Sequence, residues 1–452
     1  MKVVIVGDGK IGNNLASLLV EEDHDVTVID CKAEALKKTL SSQDVMCIEG
    51  NGATAEVQIE AGVKKAGLLI ATTPHDELNM LCCLIGKKLG AKKAISRVRN
   101  PEYYKQIDLI RDDMGLSMVI NPELTTADEI SRMLIFPTAT KVEIFQKGRI
   151  ELVEHKIKED SPLVGLTLAE IYKRLKVKFL ICAVQRGTNI YIPSGDFIIR
   201  AGDKINISAS HNEIENFFKI SNQFKNRIKT VIIVGGGRIG YYLALQLINM
   251  GMKVKIIEKS YEKCTDLCNS LPKATIIHGD GTDQDLLKEE GISDVDAFIA
   301  LSGMDEENII MSLYAQNNSN AKIVTKVSRD TFVDMSNELG LDSIVSPKDL
   351  TTNTILSYVR SLSNAAGSSI ESLYKLVGSR VEAIEFLVKE PIKDLTGIPL
   401  RDVKLKNNIL ICAIVRKRQV IIPNGDDSIE LGDSVVVAAL EHRFSGLKDI
   451  LD

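Results

Sequence analysis

Three glycines in the order G-x-G-x-x-G occur twice in the sequence, as Gly7, Gly9 and Gly12 and again as Gly235, Gly237 and Gly240. An acid follows the last glycine of each set by 18 residues, Asp30 in the first and Glu258 in the second. Residues of these types at this spacing point to nucleotide binding. The first glycine permits a tight turn, the second lets a pyrophosphate approach the backbone, and the third packs a helix closely on a strand. Phosphate then lies at the N–H-bearing end of that helix. A carboxylate ending the second strand accepts hydrogen bonds from both ribose hydroxyls and repels a 2′-phosphate. The ligand expected is therefore an adenosine nucleotide with a free ribose, NAD(H), ATP or ADP, and not NADP. The structural alternative for either acid is a solvated strand-end carboxylate.

Other segments would border the same ligand, because the crevice of an open α/β sheet lies at the carboxyl ends of its strands. Gly50-Asn51-Gly52 follows the third predicted strand, and Thr72-Thr73 ends the fourth. Arg97 and Arg99 end the fifth, where guanidinium groups suit phosphate oxygens by bidentate contact. Their alternative is a place at a domain or subunit interface. The matching residues of the second set are Asp280-Gly281, Leu301-Ser302, Lys326 and Ser328. Less positive charge is expected there for a phosphate tail.

The elements that must hold these residues are themselves repeated. Val26-Thr-Val-Ile-Asp30 answers Val254-Lys-Ile-Ile-Glu258 at an offset of 228, and Asp76-Glu-Leu-Asn79 answers Asp305-Glu-Glu-Asn308 at 229. Ile181-Cys-Ala-Val-Gln-Arg186 answers Ile411-Cys-Ala-Ile-Val-Arg416 at 230. The chain is a tandem duplication of a unit of about 220 residues. In the first copy short β-branched runs at 2–6, 26–30, 45–48, 68–72, 94–98 and 118–120 alternate with amphipathic stretches. Such a βαβ series predicts a Rossmann-like, doubly wound parallel sheet. The rhythm then changes to strand-like alternation at Lys141–Phe145 and Arg380–Phe386. A short helix is predicted at 166–175 and 399–403, then strands joined by Pro-x-Gly-Asp, then a turn at Gly202-Asp203 or Gly432-Asp433. This predicts a small α+β lobe with an antiparallel sheet after each parallel one. The domains expected are 1–135, 140–221, 229–362 and 372–452, joined at Leu134–Ala139 with Pro137, Gln223–Lys229 and Ser361–Ser369.

Composition narrows the function. The 452 residues are 44% hydrophobic and 26% charged, ordinary for a globular protein, and the net charge of −5 disfavours a nucleic-acid or anionic-lipid surface. No apolar run approaches the roughly 18 residues of a membrane span. The sequence enters a strand at once, leaving no room for a signal peptide. Eight dispersed cysteines without C-x-x-C predict reduced, structural thiols in a cytoplasmic protein and no metal site. The P-loop and H-E-x-x-H strings are absent, and the histidines at 24, 75, 155, 211, 278 and 442 do not cluster with acids in a way that suggests a catalytic base. One Y-x-x-x-K match, Tyr172 to Lys176, lies in the small lobe outside the βαβ series and reads as an amphipathic helix. Nucleotide binding without chemistry suggests regulation, the alternative being an NAD-dependent oxidoreductase with an unrecognised site.

The string Val3-Val-Ile-Val-Gly-x-Gly-x-Ile-Gly12, with Asp30, Gly50-Asn-Gly52, Ala71-Thr-Thr73 and Arg97-Val-Arg-Asn-Pro-Glu-Tyr103, resembles the RCK, or KTN, domain family that regulates K⁺ transport. The resemblance covers essentially the whole chain, both small lobes included. It implies NAD(H) and adenine-nucleotide binding at Gly7, Asp8, Gly9, Lys10 and Ile11, and at Asp30, Thr72, Thr73 and Arg97, with Arg99 near terminal phosphates. In the second copy it points to Gly235, Gly236, Gly237, Arg238, Ile239, Glu258, Leu301, Ser302 and Lys326. It further implies a homo-oligomer, a tetramer giving a ring of eight RCK domains. Such a ring would sit on the inner face of the cell membrane against an integral K⁺-translocating subunit of the Trk type. The second copy departs from the pattern at Ser328, and Arg329-Asp330 stands where the first has Asn100-Pro101.

Overall fold

Val3, Val4, Ile5 and Val6 are all buried, as an unbroken apolar strand in the middle of a sheet covered on both faces must be. They belong to a computed structural model that describes the chain apart from residues 136–138, 146–148, 222–227, 342, 365–369, 377–379, 418, 441–443 and 445. Pro137, most of the joint at 223–229, residues 365–369 of the third joint and His442 lie outside the described residues.

The first copy opens with β1 (Lys2–Val6), α1 (Lys10–Glu21), β2 (Asp25–Asp30), α2 (Ala33–Ser42), β3 (Met46–Glu49) and α3 (Ala55–Glu60). It continues with β4 (Leu68–Ala71), α4 (Asp76–Leu89), β5 (Lys93–Arg97), α5 (Pro101–Ile110), β6 (Met118–Ile120) and α6 (Pro122–Ile135). Its small lobe holds β7 (Lys141–Phe145), β8 (Ile150–Lys156), α7 (Leu168–Leu175), β9 (Leu180–Arg186), β10 (Asn189–Tyr191), β11 (Lys204–Ala209) and α8 (His211–Ile220). The second copy repeats the first half as β12 (Thr230–Val234), α9 (Arg238–Asn249), β13 (Lys253–Glu258), α10 (Tyr261–Ser270), β14 (Thr275–His278) and α11 (Gln284–Glu289). It follows with β15 (Ala297–Ala300), α12 (Asp305–Asn318), β16 (Lys322–Lys326), α13 (Asp330–Glu338), β17 (Ile344–Val345) and α14 (Pro347–Asn364). Its lobe holds β18 (Ile370–Leu376), β19 (Val381–Leu387), β20 (Ile409–Arg416), β21 (Gln419–Ile421) and β22 (Ser434–Leu440).

The doubly wound fold expected from the βαβ rhythm is present twice. Strand order is β3-β2-β1-β4-β5-β6 in one sheet and β14-β13-β12-β15-β16-β17 in the other, with parallel pairing throughout. Order reverses between β1 and β4, and between β12 and β15, and there a crevice opens at the strand ends. The lobes carry antiparallel sheets ordered β10-β9-β11-β8-β7 and β18-β19-β22-β20-β21. The short helix expected at 399–403 in the second lobe is a single 3₁₀ turn, Leu400–Asp402. In the first lobe Thr167 and Glu170 form a capping box, and Leu168, Ile171 and Leu175 bury one face of α7. The second copy reaches its next strand at Ile409, nine residues past Leu400, where the first takes twelve from Leu168 to Leu180. The segment is too short for two helical turns.

Two compact units result, and each draws on both copies: Met1–Ile130 with Thr230–Leu356, and Ser131–Lys229 with Ser357–Asp452. In the first unit the opening helix of each copy meets the closing segment of the other. Asn14 Nδ2 donates to Thr352 Oγ1 at 3.0 Å, Asn121 Nδ2 to Tyr242 Oη at 3.0 Å, and Gln246 Nε2 to Asp128 Oδ1 at 2.6 Å. In the second unit the two lobe sheets share a core that includes Phe145, Leu152, Cys182, Val381, Cys412 and Val436. Cys182 and Cys412 occupy matching strands of that core, and burial pushes the Cys182 thiol well above its ordinary pKa. Tyr172 is likewise structural, since its Oη accepts from Ile181 N at 3.0 Å, and Lys176 is the left-handed cap that ends α7. Among the described residues no helix is long and apolar enough to cross a membrane.

Candidate functional site

A cavity of about 720 Å³ opens at the β1/β4 crossing of the first copy. Gly7, Asp8, Gly9, Lys10 and Ile11 line it, with Asp30, Asn51, Gly52, Thr72, Thr73, Arg97 and Arg99. The glycines sit where their chemistry requires. Gly7 has φ +102°, and a Cβ there would come within 2.9 Å of Thr73 N. A Cβ at Gly12 would lie 1.9 Å from Gly7 O, so this residue packs α1 on β1 and does not itself line the cavity. Gly9, the cap of α1, has nothing within 4 Å of an added Cβ and leaves its approach open to a ligand.

Asp30 ends β2 with both oxygens engaged by backbone. Asp8 N donates to Oδ2 at 2.7 Å and Lys32 N to Oδ1 at 2.9 Å. Glu258 does the same in the second copy, accepting from Gly236 N and Ser260 N, each at 2.8 Å. Two such bonds leave lone pairs on each carboxylate for ribose hydroxyls. Asp8 and Gly236, the residues between the first two glycines, differ for a steric reason. The Asp8 carboxylate accepts from Thr39 Oγ1 at 2.5 Å and Asn13 Nδ2 at 3.4 Å. Burial raises its pKa, with Asp30 adding and those two hydrogen bonds opposing. Leu267 replaces Thr39 in the second copy, and a Cβ at Gly236 would lie 2.4 Å from its Cδ1. Gly236 therefore stays behind the second cavity and is not part of its lining.

The repeated Asp-x-x-Asn string proves to be the fastening between β4 and β5. Asn79, fully buried, accepts from Thr73 N at 2.8 Å and donates to Thr73 O and Arg97 O at 3.0 Å each. Asp76 Oδ2 accepts from Arg99 N at 2.8 Å and Asn100 N at 2.7 Å. Asn308 and Asp305 repeat these contacts at Ser302, Lys326, Ser328 and Arg329. Asn79→Ala should therefore cost about 1–3 kcal/mol of stability through unsatisfied buried backbone groups. It should also weaken ligand binding by displacing Thr73 and Arg97. Denaturant melts and ligand titration of the same variant check both.

The second cavity, about 640 Å³, is lined by Gly235, Gly237, Arg238, Ile239, Gly240, Glu258, Asp280, Gly281, Leu301, Ser302 and Lys326. Its basic lining is not confined to Lys326. Arg99 of the first copy lines it too, with Arg238, Lys259 and Lys263, so five basic side chains face each cavity. Asp280 departs from its counterpart Asn51: Lys259 Nζ at 2.7 Å and the Thr282 N–H and hydroxyl hold its carboxyl down at about 2. Sequence reasoning also missed the reciprocal contribution. Ser328, Pro347 and Lys348 of the second copy line the first cavity, and Glu123 lines both. Nothing local marks these residues, because they reach the crevices only when the two sheets associate.

The electrostatics of this seam favour an anion. Burial pulls the Arg97 guanidinium below its ordinary pKa, and nearby Arg99 and Arg238 add to the effect. Burial does the same to the Lys326 ammonium, with Lys10 adding and Asp305 opposing. Arg97 Nη2 donates to Thr73 O at 2.6 Å and Lys326 Nζ to Ser302 O at 2.5 Å, which aims both cations across the strand ends. Crowded, partly desolvated cations of this kind are relieved by a phosphate.

Comparison with known proteins gives a concordant picture. The TrkA-N domain family matches residues 3–122 and 231–347, and the TrkA-C domain family matches 152–222 and 383–452. A Trk system potassium uptake protein TrkA homolog of Archaeoglobus fulgidus is 34% identical over 450 residues, covering 100% of each chain. The crystal structure of the GsuK RCK domain superposes with a TM-score of 0.64 at 18% identity, covering 97% of this chain and 92% of that one. The GsuK channel bound to NAD superposes with a TM-score of 0.64 at 17% identity, covering 97% and 76%. At those identities the likeness to GsuK is one of fold.

Proposed function

The chain belongs to the TrkA family of Trk-system potassium uptake proteins, and we propose that it is the nucleotide-binding regulatory subunit of such a system. The observation that carries this reading is the pair of glycine-loop cavities, each closed at its ribose end by a carboxylate, Asp30 or Glu258, and flanked by basic side chains. NAD(H), ATP and ADP bind there as alternative ligands, the adenosine ribose on the acid and the phosphates on the loop and the seam. The NAD bound by the GsuK channel, on the same fold, supports this ligand class.

The protein acts without turnover. It assembles as a homo-tetramer whose eight RCK domains form a ring at the cytoplasmic face of the membrane, against an integral K⁺-translocating subunit of the Trk type. A ligand shifts such an assembly only by its differential affinity for two conformations. The seam supplies that difference, because each cavity is completed by residues of the other copy, and a long dinucleotide and a compact triphosphate would hold the two sheets at different separations. K⁺ flux through the reconstituted membrane subunit with this chain should change on adding ATP, ADP or NADH. It should cease to respond when Asp30→Ala and Glu258→Ala are combined. Flux indifferent to all three nucleotides would refute the regulatory reading, and steady NADH oxidation or ATP hydrolysis abolished by Gly9→Ala would refute the absence of turnover.

A further inference from the structure

We propose that Arg99 and Glu123, both in the first copy, are also working parts of the second copy's nucleotide site, so that two ligands share one guanidinium. The proposal rests on the nucleotide reading above. Arg99 and Glu123 line both cavities. Arg99 Nε donates to Glu123 Oε1 at 2.6 Å, and its Nη2 pairs with the same oxygen. A guanidinium presents five N–H donors in one plane, so this clamp orients the fork without exhausting it. The Arg99 side chain is 31% exposed and that of Glu123 10%, which puts the cation on the cavity walls and its anchor behind.

The polar set at the seam is unfinished. Glu123 Oε2 and Arg97 Nε are both buried with no hydrogen-bond partner among the described residues. Buried polar groups are rarely left unpaired, so this part of the seam is polar without being saturated by the protein's own hydrogen bonds. The second copy offers no equivalent pair. Ser328 and Lys348 stand where the first copy has Arg99 and Glu123, and Lys348 Nζ is held by both oxygens of Asp330 at 2.8 Å. Both face the first cavity. The exchange across the seam is thus unequal: the first site receives an ammonium from the second copy, and the second site receives the Arg99–Glu123 pair from the first.

Two phosphate tails that meet at one cation compete for it and repel each other. Filling one site with a triphosphate therefore weakens the other, and by linkage the weakening is the same in both directions.

Full-length chains carrying Asp30→Ala or Glu258→Ala isolate the second and the first site for ATP titration. Adding Arg99→Gln to each should weaken ATP roughly tenfold in both backgrounds, the effect of one charge-assisted contact. Arg97→Gln should act on the first site alone and Lys326→Gln on the second alone, while Arg99→Lys, which keeps the charge, should retain most of the affinity and control for folding. In the protein with both sites, second-site ATP affinity should be several-fold lower than in Asp30→Ala. An Arg99→Gln loss confined to the first site would overturn the proposal, and so would second-site affinity indifferent to the first. Failure of ATP to bind even the unaltered protein would remove the nucleotide reading, and the proposal with it.

Discussion

An Asp30→Ala protein is expected to fold, to keep its second cavity, and to bind NADH, ATP and ADP at the first about 30- to 1,000-fold more weakly. The three ligands share an adenosine ribose, and the loss of one or two charge-assisted bonds to it costs about 2–4 kcal/mol. NADP should bind poorly to the unaltered protein, since its 2′-phosphate would face the same carboxylate. The acid has a second duty that a control must separate. By accepting from Asp8 N and Lys32 N it also pins the glycine loop to the end of β2. Asp30→Asn keeps one acceptor for those N–H groups while removing the charge, so a larger loss in Ala than in Asn would measure the loop's share. Titration calorimetry reads the affinities, and a denaturant midpoint reads the fold.

In the second unit, Asp203→Ala should cost about 1.5–3 kcal/mol of stability, through the lost charge-assisted bonds of a partly exposed Arg186 and the acceptor taken from Arg200 N. Arg186 meets the Asp203 carboxylate with two bonds, Nε to Oδ1 at 2.8 Å and Nη2 to Oδ2 at 2.7 Å. Asp203 is fully buried and also accepts from Arg200 N at 2.8 Å. Its hydrogen bonds raise the Arg186 pKa above the ordinary guanidinium value. The second lobe repeats the device with Arg416 and Asp433, at 3.0 and 2.8 Å. Asp433→Ala should therefore cost a similar amount. Because the two lobe sheets share one core and the two ion pairs share no partner, the losses should add in a single transition, whereas two separate transitions would mean that the lobes unfold independently.

What was legible in the sequence was what local chemistry dictates. The glycine strings, the acids 18 residues on, and the β-branched runs each depend on a stretch shorter than a βαβ unit, and strand ends fell within about two residues of the pattern. The Asp-x-x-Asn repeat was visible too, but its role was not, because the groups it fastens, Thr73 and Arg97, belong to two other strand ends. The short helix at 399–403 is legible as an element but not as a single 3₁₀ turn, because the apolar pattern of five residues does not separate 3₁₀ from α. The greatest loss was at the seam. The sequence assigns Arg99 to one site, since neither its spacing nor its neighbours reveal that α6 brings Glu123 beside it or that the second crevice opens against the same pair. Contacts between the two sheets are a property of the assembled unit, and a pattern within 30 residues does not encode them.

On the proposed reading, both crevices bind adenosine nucleotides through their strand-end acids. Titrating ATP and NADH into the full-length chain beside its Asp30→Ala/Glu258→Ala double variant tests it most directly. Saturable binding of each ligand to the unaltered protein, filling two sites per chain, is the expected result, with its loss in a double variant that still melts cooperatively. Equal binding by the two proteins would contradict it.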